Sequence, residues 1–322
     1  RIGLVACIAL GILWIVCVTI SVTTNNNVKD DSRSALSDQI NRHAQAALKE
    51  TSNFFISQLK IYEQSIVNFT TIATADTLRS DYSMSLIGQP NFFEYGNATL
   101  SPPLTQDNRQ IKPVSFSHSR YYVTGATPAD IPTFSAALND TRDRTTHVDP
   151  YFRHTYQANE ALVAVYTGFD IVPDPNMHRE YPGAETLSFD PLRTYDPVLR
   201  PWYDDAMASP DNTSFGAPYP DFFKKGWMIT GSRTIRHPDT DVIVGVTGAD
   251  ILIRDINNVM AGITFLDSGK LSLFEVSSGQ VVSDQEWDLD PDDTSIFTYS
   301  DLQNPAVSTD VWNQIASTTV GQ

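Results

Sequence analysis

Two runs, Gly226-Trp227-Met228-Ile229-Thr230-Gly231-Ser232-Arg233-Thr234-Ile235 and Val242-Ile243-Val244-Gly245-Val246-Thr247-Gly248-Ala249-Asp250, decide how this chain is read. Both are rich in β-branched residues, and the turn-forming His237-Pro238-Asp239-Thr240-Asp241 joins them. They predict an antiparallel hairpin. The second strand ends on an acid, Asp250, just before the short helical pattern Ile251–Met260. An acid there suits a helix N-cap, an ion pair with an arginine, or a ligand contact.

Upstream of the hairpin, Tyr195-Asp196-Pro197-Val198-Leu199-Arg200-Pro201-Trp202-Tyr203 concentrates one arginine, one tryptophan and two tyrosines in nine positions. A guanidinium beside phenol hydroxyls and an indole N–H suits a carboxylate, because the fork grips both oxygens. The same stretch also reads as a loop whose aromatics cover the core and whose Arg200 pairs with Asp196 or Asp204. Before it, Asp149-Pro150 reads as an N-cap and first-turn proline opening a helix to Asn159, followed by a strand, Ala161–Gly168. Gln89 to Ile131 is broken by prolines and reads as an ordered insert or lid, with short strands at Val114–Phe116 and Tyr121–Val123. Beyond the hairpin, Lys270–Val276, a turn at Ser277-Ser278-Gly279-Gln280 and Val281-Val282 begin a second hairpin.

The N-terminal third has another character. No glycine or proline occurs between Gly11 and Gly88, and apolar residues recur in steps of three and four from Leu36 to Ala73. This periodicity predicts one amphipathic helix to about Thr74, roughly 60 Å long. A second helical stretch is expected over Asp76–Leu86. Ile2 to Val22 carries no charge and is long enough to span roughly 30 Å of hydrocarbon as a helix. It reads as a retained membrane anchor rather than a signal peptide, for want of a cleavage site. The chain opens on Arg1 rather than Met and is read as a fragment; the positive-inside rule places Arg1 in the cytoplasm.

Composition excludes several functions. The 322 residues carry 22 Lys and Arg against 38 Asp and Glu, a net charge of −16, with no basic run. Nucleic acid is therefore not an expected partner. The two cysteines, Cys7 and Cys17, cannot cross-link or cage the remainder. There is no phosphate loop, nucleophile elbow or zinc motif, and the six histidines show no ligand spacing. Asp30-Asp31-Ser32-Arg33-Ser34 spells a divalent-metal pattern but follows the apolar run, and reads as helix capping. Asp288-Leu289-Asp290-Pro291-Asp292-Asp293 lacks the glycine of a calcium loop and has Tyr299 in place of its closing Glu. No metal, cofactor or catalytic residue is expected. Sequons stand at Asn68, Asn97, Asn139 and Asn212, which fits an outward-facing domain.

This order of parts resembles the double Cache sensor domains, extracytoplasmic ligand-binding modules of chemoreceptors, sensor kinases and cyclases. The likeness runs from the apolar anchor to about residue 285 and is strongest from Tyr166 to Asp250. The amino-acid-binding members share a spaced pattern that Tyr195, Arg200, Trp202, Tyr203, Tyr219 and Asp250 meet here. The resemblance implies that Arg200 and Trp202, with Tyr195, hold an α-carboxylate, while Tyr203, Tyr219 and Asp250 receive an α-ammonium. A zwitterion needs a cation and an anion close together, since neither of its charges can be desolvated alone. Each residue also has a structural reading. Tyr195 and Tyr203 fit a core, Tyr219 a loop cap, and Asp250 a cap for the helix at Ile251.

The resemblance implies an α+β fold. Its parts are a transmembrane helix (1–24), a long spine helix (25–75), a membrane-distal PAS-like antiparallel domain (76–262), and the start of a membrane-proximal PAS-like domain (263–322). The function implied is extracellular or periplasmic sensing of a free amino acid or related amine by a non-enzymatic ectodomain at the plasma membrane. It would be anchored by the N-terminal helix, dimerised through the long helix, and connected to a kinase or cyclase output. The alternative is a membrane-protein subunit or interaction domain with a modulatory pocket.

Overall fold

The computed structural model describes residues 2–10, 14–22, scattered helical positions from 38 to 60, 62–81, 105–184 apart from 111, 112, 118 and 127, 195–261 apart from 223 and 224, 270–275, 278–284, and a few positions from 298 to 313. It divides into two compact units. The larger comprises Ile61–Gly216 and Asp221–Leu252; the smaller comprises Arg1–Lys60, Ala217–Pro220 and Ile253–Gln322.

The larger unit is built on six strands: β1 (Arg120–Val123), β2 (Leu162–Phe169), β3 (Met177–Tyr181), β4 (Ser214–Phe215), β5 (Trp227–Arg236) and β6 (Ile243–Leu252). They pair in the order β1-β3-β2-β6-β5-β4, every neighbouring pair antiparallel. The hairpin expected from the sequence is β5–β6, with Thr230 opposite Asp250 and a bulge at Ile235/Arg236. All eight residues of β2 are buried. A strand covered on both faces need not alternate apolar and polar residues, and Leu-Val-Ala-Val-Tyr-Thr-Gly-Phe does not.

One face carries helices α1 (Phe69–Thr77), preceded by a π-helical turn (Tyr62–Asn68), α2 (Ala136–Thr145) and α3 (Asp149–Ala158). Val67 of the π turn comes so close to Gly231 that a Cβ there would lie 3.1 Å from its methyl. Phe152 of α3 is completely buried, which is worth roughly 1.5–3 kcal/mol. Tyr156 meets Tyr181 of β3 edge-on at 5.7 Å. Helix α4 (Pro201–Ala208) lies on the opposite face, against β5 and β6.

Several expectations change here. Asp149 is the first helical residue rather than an N-cap, because a 3-10 turn, Thr146–Val148, runs straight into α3. Its carboxylate accepts from Ser119 N instead, at 2.9 Å. Asp250 does not cap the following helix: the strand continues to Leu252 and the helix starts at Ile253. The helix expected from Asp76 is absent at Leu78–Asp81, a turn that follows α1, while 82–86 lie outside the described residues. The helix α2 and strand β3 carried no clear sequence signal. The metal-like runs at 30–34 and 288–293 and the sequon at Asn97 lie outside the described residues.

In the smaller unit, Ile2–Leu10 and Trp14–Val22 form an antiparallel pair rather than the membrane helix expected. Trp14–Val22 pairs in turn with Lys270–Glu275, which pairs with Val281–Asp284. Among the described residues no helix is long and apolar enough to cross a membrane. An uncharged run rich in Val and Ile satisfies a buried strand as readily as a helix, and periodicity cannot separate the two.

The described part of the proline-rich insert belongs to the framework. β1 forms the sheet edge, and Arg109 ties the insert to the corner between α3 and β2. Its Nη1 donates to the carbonyls of Tyr156 (3.2 Å), Asn159 (3.0 Å) and Leu162 (3.2 Å). Its Nη2 and Nε donate to Asp107 at 2.8 and 3.0 Å, and the guanidinium stacks 3.8 Å from the Tyr156 ring centroid. Arg109→Ala takes a charged donor from three carbonyls and the paired cation from the buried Asp107 carboxylate. A loss of about 3 kcal/mol is expected in urea unfolding.

Candidate functional site

Strand alternation aims Ala164, Tyr166 and Gly168 of β2 at the α4 face, together with His178 and Glu180 of β3 and Gly248 and Asp250 of β6. Two glycines make this face habitable. A Cβ on Gly168 would lie 2.6 Å from Pro197 Cβ and 2.8 Å from the Trp202 ring, and one on Gly248 would lie 2.3 Å from the Tyr166 ring. Their bareness lets the Pro197–Leu199 turn, Trp202 and Tyr166 lie down on the sheet.

At the centre is Asp250, 4% exposed. Its Oδ1 accepts from the Tyr166 hydroxyl and from Thr230 Oγ1, both at 2.6 Å. Burial pushes the carboxyl up to about 7, even though these two hydrogen bonds favour the ionised form. Across β2 lies Glu180, paired with Lys225 Nζ at 2.6 Å and 3.7 Å from His178 Nε2. Burial alone would raise Glu180, but Lys225, joined by His178, brings the carboxyl down to about 2. Burial likewise opposes the Lys225 ammonium, and Glu180, followed by Asp221, raises its pKa nonetheless. The buried His178 is pushed down, desolvation outweighing Glu180, and its Nδ1 has no hydrogen-bond partner among the described residues.

Aromatic rings wall these groups. Tyr166 meets Trp202 at 4.9 Å and His178 at 5.2 Å, and Tyr195 meets His178 at 4.7 Å. The Trp202 indole hydrogen-bonds the Tyr195 hydroxyl, whose charged neighbours are Arg200, Glu180 and Asp250. The half-buried Arg200 guanidinium lies 5.8 Å from the Tyr195 ring centroid and 5.2 Å from that of Phe222. Among the described residues it makes no ion pair. Asp196 instead accepts from Val198 N and Asn176 Nδ2.

Of the residues singled out in the sequence, Tyr195, Arg200, Trp202 and Asp250 therefore share one face and one electrostatic environment. Tyr203 is buried against Trp202 at 5.5 Å, and its hydroxyl has Asp170 and Asp196 as its charged neighbours. Tyr219 is half-buried on a two-residue strand that belongs to the smaller unit. The site described here is built from the larger unit alone. Sequence reading passed over Tyr166, Thr230, His178, Glu180 and Lys225. Counting back from the hairpin turn puts a residue near Thr230 opposite Asp250. Nothing local links Glu180 to Lys225, which are 45 positions apart.

Residues 174–258 match the family model of the methyl-accepting chemotaxis protein-like first PDC sensor domain. Among curated proteins, none matches the chain. Solved structures similar to it include the ligand-binding domain of the Campylobacter jejuni chemoreceptor Tlp3 in complex with L-valine. It is 15% identical, with 88% of this chain and 81% of that one covered and a TM-score of 0.44. The ligand-binding domain of the Pseudomonas aeruginosa chemoreceptor PctC in complex with GABA is 22% identical over 34% of this chain, with a TM-score of 0.26. That of the Pseudomonas fluorescens chemoreceptor CtaA in complex with L-isoleucine is 18% identical over 46%, with a TM-score of 0.33. The chain spans 43% of the PctC domain and 53% of the CtaA domain.

The Asp250 environment makes a signed prediction. Its folded value of about 7 exceeds the ordinary 3.8, so the folded chain keeps a proton that the unfolded chain releases. This contribution to stability falls as pH rises from 3.8 to about 7. Asp250→Asn removes that part of the slope in urea unfolding across this range. Tyr166→Phe deletes a hydrogen bond to the ionised carboxylate and raises the Asp250 value further, as read by carboxyl NMR titration.

Proposed function

We propose that this chain, whose residues 174–258 match the model of a chemotaxis-receptor-like PDC sensor domain, is the ligand-sensing part of a membrane receptor and binds a free amino acid or related amine outside the cytoplasm. One observation carries the ligand class. A buried, hydroxyl-held Asp250 shares an aromatic-walled face with Arg200, a half-buried cation that has no anion partner among the described residues. An α-amino acid brings the complement of both groups on one carbon.

In this reading Arg200, with the Trp202 indole and Tyr195, takes the α-carboxylate. Asp250 takes the α-ammonium, supported by Tyr166 and Thr230. Entry of the ammonium supplies the charge that burial denies Asp250, so the carboxyl ionises on binding. The occupied state is then stabilised relative to the empty one, and differential affinity shifts the receptor between states. Strands Lys270–Glu275 and Val281–Asp284 are assigned to the opening of a second sensor domain. The domain binds and does not catalyse, and its signal passes to an output domain.

Thermal-shift measurements on the purified chain against the common L-amino acids and simple amines test this. A ligand at a hundredfold its Kd stabilises by about 2.7 kcal/mol. Arg200→Ala and Asp250→Ala should each abolish the shift while keeping a cooperative melt; a normal shift in either discards the assignment. Affinity should fall about tenfold for each pH unit below the Asp250 value, because protonation competes with the ligand ammonium. Tyr166, Thr230, Asp221 and Lys225 are the groups that tune that value.

Dimerisation through the long helix, which α1 closes, is part of the proposal. On α1, Phe69 and Ile72 are exposed, Ile72 by 68%. Ile72→Glu should shift sedimentation toward monomer, and an unchanged dimer would remove this helix face from the interface.

A further inference from the structure

Two buried carboxylates stand on the site face, on either side of β2. Glu180 on β3 is directly opposite Tyr166, and Asp250 on β6 is opposite Ala164. Two inter-strand steps and a two-residue stagger along β2 separate their backbones by roughly 12 Å. Asp250 is met by neutral hydroxyls, whereas Glu180 is met by an ammonium. That ammonium belongs to Lys225, and the two side chains are only 6% and 5% exposed.

A desolvated carboxylate that stays ionised needs a cation, and here the chain supplies its own. The Glu180 pocket is therefore already shaped and charged for an alkylammonium. Lys225 lies within electrostatic reach of both Glu180 and Asp250, and Tyr195 within reach of Arg200, Glu180 and Asp250. The two carboxylates thus lie on one face, within electrostatic reach of the same Lys225 and Tyr195. Burial pushes the neighbouring His178 down, and Lys225 stands ahead of it in holding the Glu180 carboxylate.

We propose that Glu180 is a second cation subsite of the ligand pocket, that Lys225 is its built-in occupant, and that Lys225 thereby bars ligands with a cationic side chain. This rests on the amino-acid reading of the Asp250 site. With the subsite filled, the pocket accepts a neutral side chain and rejects a basic one of equal length. Removing the Lys225 ammonium leaves Glu180 uncompensated and turns the rejection into a preference.

The test is calorimetry with L-norleucine and L-lysine, which differ by the terminal ammonium, on the wild type, Lys225→Ala and the double variant Lys225→Ala/Glu180→Gln. A thermal-shift series with n-butylammonium chloride runs alongside. In Lys225→Ala the affinity ratio should move toward L-lysine by about tenfold or more, and n-butylammonium should raise the melting temperature. The double variant should show neither effect. An unchanged ratio together with no alkylammonium stabilisation overturns the inference. If the wild type binds no amino acid or amine, the functional reading fails, and the alkylammonium series still decides the subsite. Lys225→Ala strands a buried charge, and where it fails to fold alone the alkylammonium serves as a rescue. Recovery of a cooperative melt by n-butylammonium then supports the subsite. Failure to recover, while the double variant folds, rejects it.

Discussion

The desolvation of a carboxylate at the end of β6 is the constraint around which the larger unit is arranged. Asp250 faces into the layer between the sheet and α4, where water is excluded and an ionised oxygen is costly. Two hydroxyls reach it only because the strands hold their register: Thr230 lies directly across on β5, and Tyr166 reaches over from β2. These bonds orient the carboxyl without supplying charge. Asp250 is left near 7. A helix cap or an internal ion pair would instead have settled its charge permanently.

Glu180 is the control that the molecule itself provides. It is as deeply buried and lies on the same face, yet its carboxyl is near 2, because Lys225 is 2.6 Å away. Burial has the same sign for both acids, and the presence of a cation decides the outcome. One acid is paired with an ammonium and the other is met by hydroxyls. Glycines 168 and 248 allow both to sit beneath a tight aromatic wall, since any side chain at either position would displace Trp202 or Tyr166.

Much of this was legible before the fold was known. The β5–β6 hairpin followed from β-branched runs around a turn, and its register brought Thr230 to Asp250. The resemblance to the Cache sensor domains pointed to Arg200, Trp202 and Asp250, which the fold places on one face. Other parts were not legible. The unbroken apolar run at Ile2–Val22 says that these residues leave water, and says nothing about whether they leave as one helix or as two strands. Helix α2 has few apolar residues, and only Leu138 and Thr145 are buried, so its pattern carries little signal.

The sequence by itself determined the local alphabet: which runs extend, which residues carry donors or charge, and which classes of partner the acidic composition excludes. These depend on side-chain chemistry and on spacings of a few residues. Only the tertiary structure decided that Glu180 and Lys225, distant in the chain, form a buried ion pair. It also decided that Asp250 titrates near 7, and that Tyr203 faces Asp170 and Asp196. The reason is physical. Charge states inside a protein are set by desolvation and by neighbours brought together through strand register, and neither quantity exists until the sheet has closed over the site.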